Sequence, residues 1–173
     1  MKKIILLVIF FLSCALMVCS QDFYTDTGLI TVDNITYKVV RYNHVIHLEN
    51  IENTLVDRGI INLKTNKPYD IPGDMFPRYY PRPEKIKIFI DQIIHPKNKE
   101  YNSLIDIIMA VDPKSCTVKE LYFDFYVDES TVSIPPKKFA ELERALIGKN
   151  FGFKLDDCYI DANYLRGYFR YEF

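Results

Sequence analysis

Nothing in this sequence concentrates charge of one sign. Its 22 lysines and arginines are interspersed with 23 aspartates and glutamates. A nucleic-acid partner needs a concentrated basic face, so that partner class is excluded. Glycine is scarce, at six in 173 residues, and no glycine-rich phosphate loop can be assembled from them. Ser103, Ser115, Ser130 and Ser133 sit in no nucleophile elbow. Tryptophan is absent, there is no low-complexity tract and no internal repeat.

Histidine is also scarce, with three in the chain. His44 and His47 are the best metal-ligand candidates. On a strand an offset of three sends them to opposite faces, where they cannot share an ion. No metal and no cofactor is expected. His95 reads as a helix-end residue, and Asp156-Asp157 as solvated turn residues rather than an acid/base pair.

What is present begins with an export signal. Met1-Lys2-Lys3 precedes an apolar stretch from Ile4 to Cys19. A bilayer-spanning helix needs about 20 apolar residues and a signal core about 7–15. Val18 and Ser20 stand at the positions where a signal peptidase accepts small side chains, so cleavage is expected between Ser20 and Gln21. The alternative is a lipoprotein, acylated at Cys14 or Cys19, but Phe11 and Val18 fit that motif poorly. The expected product is exported, periplasmic or secreted, with no transmembrane segment in the mature chain. An outer-membrane lipoprotein is the other reading. Cleavage removes two lysines and leaves 20 basic against 23 acidic residues. Only Cys116 and Cys158 survive, and an oxidising compartment makes them candidates for one disulfide.

Along the mature chain, "LITVDNITYKVVRYNHVIHLE" (28–48) reads as a β-hairpin turning at Asp33-Asn34. The stretch 64–83 holds five prolines and reads as a loop. In "PEKIKIFIDQIIHP", Ile86, Phe89, Ile90, Ile93 and Ile94 follow one helix face. Ile86, Ile88 and Ile90 also alternate, but Asp91-Gln92 breaks the strand pattern and not the helix. "LIDIIMAV" (104–111) and "TVKELYFDFYV" (117–127) are strands, the second with Leu121, Phe123, Phe125 and Val127 on one face and Tyr122, Asp124 and Tyr126 on the other. Residues 135–148 form a helix opened by prolines and ended at Gly148. In the last ten residues Leu165, Phe169, Tyr171 and Phe173 face inward. Tyr164, Arg166, Tyr168, Arg170 and Glu172 face outward.

The expected fold is α+β: an antiparallel sheet with two helices on one face, in the order α-β-β-α-β, preceded by a β-rich segment. The chain divides into a signal at 1–20, a hairpin-containing segment with its proline-rich loop at 21–78, and an α+β unit at 79–173.

That order, opened by "FPRYYPRPEKIKIFIDQIIHP", resembles the carboxy-terminal domain of TonB-type energy transducers. The matching pieces are Phe76-Pro77 or Tyr80-Pro81, His95-Pro96, and residues 104–127, 135–148 and 164–173. The chain lacks the tryptophan and the long Pro-Lys spacer of those proteins, so the resemblance implies a shared fold without energy transduction. The whole chain also resembles small exported proteins of unknown function from Gram-negative gut bacteria.

The outward tyrosines and arginines are the candidate site: Tyr122, Tyr126, Arg166, Tyr168 and Arg170. Tyrosine and arginine are enriched in interface hot spots because they join rigid area to polar reach. The leading expectation is a non-catalytic module binding an envelope protein or peptide through a sheet edge or this Tyr/Arg face. The alternatives are a small secreted enzyme, hydrolytic in type, and a lipid-tethered envelope accessory protein. Oligomeric state is not legible from the sequence.

Overall fold

The computed structural model describes residues 24, 27–55, 59–69, 82–94, 104–127, 134–153 and 159–172. The signal segment with Ser20 and Gln21, the middle of the proline-rich loop, His95-Pro96, Asp156-Asp157, Cys158 and Phe173 lie outside them.

Three strands open the chain: β1 (Gly28–Val32), β2 (Ile35–Tyr42) and β3 (Val45–Asn50). Asp33 and Asn34 both take positive φ, 50° and 67°. That is the geometry a two-residue hairpin turn requires and that Asp and Asn tolerate best. The sequence pattern predicts a single hairpin here. Asn43, at φ 53°, makes a second turn, and the chain continues as a meander. A two-stranded sheet follows, β4 (Ile61–Asn62) with β5 (Lys67–Pro68), the latter inside the stretch read as loop.

Helix α1 spans Pro83–Ile94 and settles the competition at 86–90. Ile86, Ile90 and Ile94 are buried while Ile88 is 53 % exposed, which is helical and not alternating burial. Strands β6 (Leu104–Val111) and β7 (Val118–Tyr126), helix α2 (Pro136–Leu146) and β8 (Leu165–Glu172) complete the order. Gly148, with φ 75°, carries the chain out of α2, and its N–H donates to the Val118 carbonyl at 2.8 Å.

Six strands form one antiparallel sheet in the order β1-β2-β3-β7-β6-β8. The fold is α+β with a β-rich amino-terminal part. Because β3 pairs with the free side of β7, the sheet runs across the sequence division near residue 79.

Both helices cover one face of this sheet. Phe139 of α2 lies 4.9 Å from Phe123 and 4.8 Å from Phe125, ring centre to ring centre. Asp91 of α1 accepts a 2.6 Å hydrogen bond from the Tyr171 hydroxyl of β8. Beneath α2, Glu143 is buried and accepts hydrogen bonds from the Tyr37 hydroxyl at 2.5 Å and Asn50 Nδ2 at 2.8 Å. Burial pushes the Glu143 carboxyl above its ordinary value.

The turn between β6 and β7 is built on Asp112. Its Oδ1 accepts from the N–H groups of Lys114 (2.9 Å) and Ser115 (2.7 Å). Cys116, in this turn, is half-buried and forms no disulfide with a described residue. The chain leaving α2 reaches the same end of the sheet, where Val118 N–H donates to Lys149 O at 3.0 Å.

Candidate binding face

Opposite the helices lie the even-numbered residues of β6 and β8 and those of β7 from Glu120 to Tyr126, with Asp106, Ile108 and Ala110 of the central β6 buried. Strand register determines which side chains are neighbours, because directly opposed residues point to the same side. One row runs Val40, His47, Asp124, Asp106, Arg170 across β2, β3, β7, β6 and β8. The next runs Lys38, Glu49, Tyr122, Ile108, Tyr168. Tyr126 lies one row to the other side, opposite Val45, which in turn faces Tyr42.

All five sequence-expected residues therefore share this face. Arg166 and Arg170 are exposed, Tyr126 and Tyr168 are each 37 % exposed, and Tyr122 is half-buried. They do not stand on adjacent strands throughout: β6 separates the β7 pair from the β8 trio. Tyr42, 65 % exposed, extends the aromatic surface toward β2. Among the described residues, neither helix lies on this side.

The centre of the face is charged. Asp124 and Asp106 are directly opposed on β7 and β6, a like-charge pair that would repel if left alone. Each is neutralised from its outer side. Arg170 grips Asp106 with two 2.7 Å bonds, from Nε to Oδ1 and Nη2 to Oδ2, and the Tyr168 hydroxyl donates to Oδ1 at 2.7 Å. The guanidinium lies 5.9 Å from the Tyr168 ring centre. Burial, reinforced by Asp106, pushes the Tyr168 phenol up to about 12. The Asp106 bonds hold Arg170 more firmly protonated than usual.

On the other side His47 Nδ1 lies 2.7 Å from Asp124 Oδ1, and Nε2 lies 3.5 Å from Glu49. The Asp124 hydrogen bond raises the imidazole above its usual value against the opposing effect of burial. Tyr122 stacks at a tilt on this ring, centres 4.9 Å apart. Burial raises the Tyr122 phenol.

Several residues fall elsewhere than the sequence implied. Tyr164, expected outward, is 1 % exposed; it lies just past Asn163 and Ala162, where β4 pairs against the chain ahead of β8. His44 is an exposed turn residue, so it and His47 stand apart. Among the described residues no group of three His, Cys, Asp or Glu side chains is arranged to hold a metal ion. No described helix is long and apolar enough to cross a membrane. Asp106 is a site residue that the sequence pattern does not single out. Its signal was an aspartate within "LIDIIMAV", a charge inside a strand otherwise apolar on both sides.

Among solved structures, the chain is similar to a DUF5043 family protein from Bacteroides uniformis. The match covers 86 % of each chain at 22 % identity, with a TM-score of 0.66. At that identity the likeness shows the fold. The neighbour's genus agrees with the resemblance to proteins of Gram-negative gut bacteria. No protein-family model matches the chain, and no curated protein matches it.

Proposed function

We propose that this chain is an exported, non-catalytic module that binds a protein or peptide on the open face of its sheet. One observation carries the reading: tyrosine and arginine side chains of β7 and β8 line the sheet face opposite both helices. Rigid aromatic area beside charge-paired arginine is the composition of interface hot spots. The Asp106 triad holds Tyr168 and Arg170 in place before any partner arrives, which lowers the entropy cost of binding.

Tyr42 and Tyr126 are the cleanest probes because neither has a bond to the charged centre among those described above. Bait protein would be used to capture partners from envelope extract, and the captured partner's affinity measured against Tyr42→Ala and Tyr126→Ala. A hot spot costs roughly 1–2 kcal/mol or more, about tenfold in Kd, with the melting temperature unchanged. Equal affinity of both variants for every captured partner refutes the reading. Export is tested separately by intact mass: a product starting at Gln21 supports cleavage, and an acylated Cys19 supports the lipid-tethered alternative.

The contact between His47 and Asp124 also bears on the alternative reading, a hydrolase, and speaks against it. A general base needs a nitrogen facing a nucleophile. Here Nδ1 faces Asp124 and Nε2 faces Glu49, an arrangement suited to holding an imidazolium. Loss of a measured hydrolytic activity in His47→Gln would support the enzyme over the binding module.

A further inference from the structure

Strand β8 is at one end of the sheet. It pairs with β6 along Leu165–Glu172, and no described residue pairs with its other side. Among the described residues the small sheet bridges the chain at Ala162, before β8 begins, and pairs with none of those eight residues. An open edge of this length is a template for another strand.

Natural edges are commonly guarded by charge, and β8 carries Arg166, Arg170 and Glu172. Their order is what matters. In antiparallel pairing of β8 with a second β8 about a two-fold axis normal to the sheet, opposed residues must lie on the same face. An axis through Phe169 sets Arg166 opposite Glu172, and Tyr168 opposite Arg170, each twice. The first pair is an ion pair. The second repeats between chains the guanidinium-on-tyrosine arrangement that Arg170 and Tyr168 already make within one chain. Phe169 meets its own copy on the helix-covered side. Moving the axis to Tyr168 opposes Arg166 with Arg170, and moving it to Arg170 opposes that arginine with itself. Both shifts set like charges against each other. Moving it to Gly167 opposes Arg166 with Tyr168 but leaves Arg170, Tyr171 and Glu172 beyond the paired length of the strand, and moving it to Tyr171 pairs Arg170 with Glu172 but leaves most of the strand unused.

We infer that β8 is a homodimerisation edge: two copies pair their last strands antiparallel about Phe169, giving one continuous twelve-stranded sheet. The occupant is a second copy of this chain because the strand is complementary to itself in a single full-length register. The open faces of the two copies then adjoin across the axis, with the binding surface doubled.

The test is sedimentation velocity on the protein as isolated from cells that produce it, over a range of concentrations. The expected mass is that of two chains. Arg166→Glu sets Glu against Glu at both ends and weakens the dimer at least about tenfold; Glu172→Arg does the same with Arg against Arg. Combining both exchanges restores the ion pairs with their signs reversed and restores the dimer. Circular dichroism checks the fold of each variant, and if one single exchange unfolds, the other carries the test. A wild-type protein that stays monomeric at every soluble concentration overturns the proposal. So does a dimer indifferent to the single exchanges, or a double exchange no more dimeric than the singles. Because the readout is mass, the result stands apart from whether any partner binds the open face.

Discussion

On the helix-covered side of the sheet, Phe123, Phe125, Leu48 and Ile107 are at most 1 % exposed and belong to one buried cluster with Phe139 and Ile90. On the other side, the same strands at the next residue carry Asp124, Glu49 and Asp106, with Tyr122 and Tyr126. One sheet therefore has two organising interactions. The closed face is held by area removed from water, which is non-directional and tolerates changes of shape-matched residues. The open face is held by directed charge pairs, each of which fails if one member is lost. The difference makes the two faces separable by mutation.

The largest expected effect breaks the closed face. Phe139 is fully buried between Phe123 and Phe125. Phe139→Ala leaves a cavity beneath α2 and costs about 3–5 kcal/mol. Chemical denaturation measures it. A loss under about 1 kcal/mol would mean that α2 does not close the core as described.

Next comes the asymmetry of the Arg170–Asp106 pair. The Asp106 side chain is 9 % exposed, while the Arg170 side chain is 45 % exposed. Arg170→Ala strands a buried carboxylate and is expected to cost roughly 2–3 kcal/mol. The sequence pattern marks Arg170 as an outward binding residue. Its bonds make it a support of the face as well. Asp106→Asn removes the charge but keeps an acceptor, and the loss is expected to be smaller than for Arg170→Ala. Equal losses for the two variants would show that no buried charge is at stake.

Gly167 tests the closed face from its edge. It lies on β8, and a Cβ there would come 2.9 Å from Phe153 Cε1 and 3.4 Å from Cζ. Gly167→Ala forces that ring to move and is expected to cost about 1–2 kcal/mol by overpacking. Thermal denaturation against wild type measures it. A melting temperature at or above wild type would show the Phe153 ring to be loosely held.

These cases also mark how much was legible in the sequence. Alternation in "LYFDFYV" separated the two faces of β7 residue by residue, since a two-residue period leaves no other solution once one side is apolar. The helix at 83–94 was readable because Asp91-Gln92 falls on its polar face. The second turn of the meander was not, because Asn43-His44 offers one turn-favouring residue where Asp33-Asn34 offers two, and it lies inside a continuous run of strand-forming residues. Partner choice across strands was hidden as well. Asp106, Asp124 and Arg170 lie far apart in sequence, and only sheet register brings them into one row. The outward direction of the tyrosines and arginines could be read, whereas their bonds could not.

The smallest expected effect sharpens the comparison through pH. His47 is raised above the usual 6.5 by its hydrogen bond to Asp124. A folded value above the unfolded one means that its stabilising contribution is complete below about 6.5 and is lost as pH rises through the folded value. Glu143, on the closed face, is also raised, so its contribution is likewise present in acid and lost as pH rises past the carboxylate range. A pH profile of the wild type alone would mix the two. The difference in unfolding free energy between wild type and His47→Gln removes Glu143, which both proteins retain. For a half-buried ion pair that difference is expected to stay under about 1 kcal/mol. It should be largest on the acid side and shrink as the imidazolium deprotonates, leaving Asp124 and Asp106 opposed with only Arg170 to compensate them. A difference that is flat across neutral pH, or that grows in base, would show that neutral imidazole serves Asp124 equally well. The open face would then owe its charge balance to Arg170 alone.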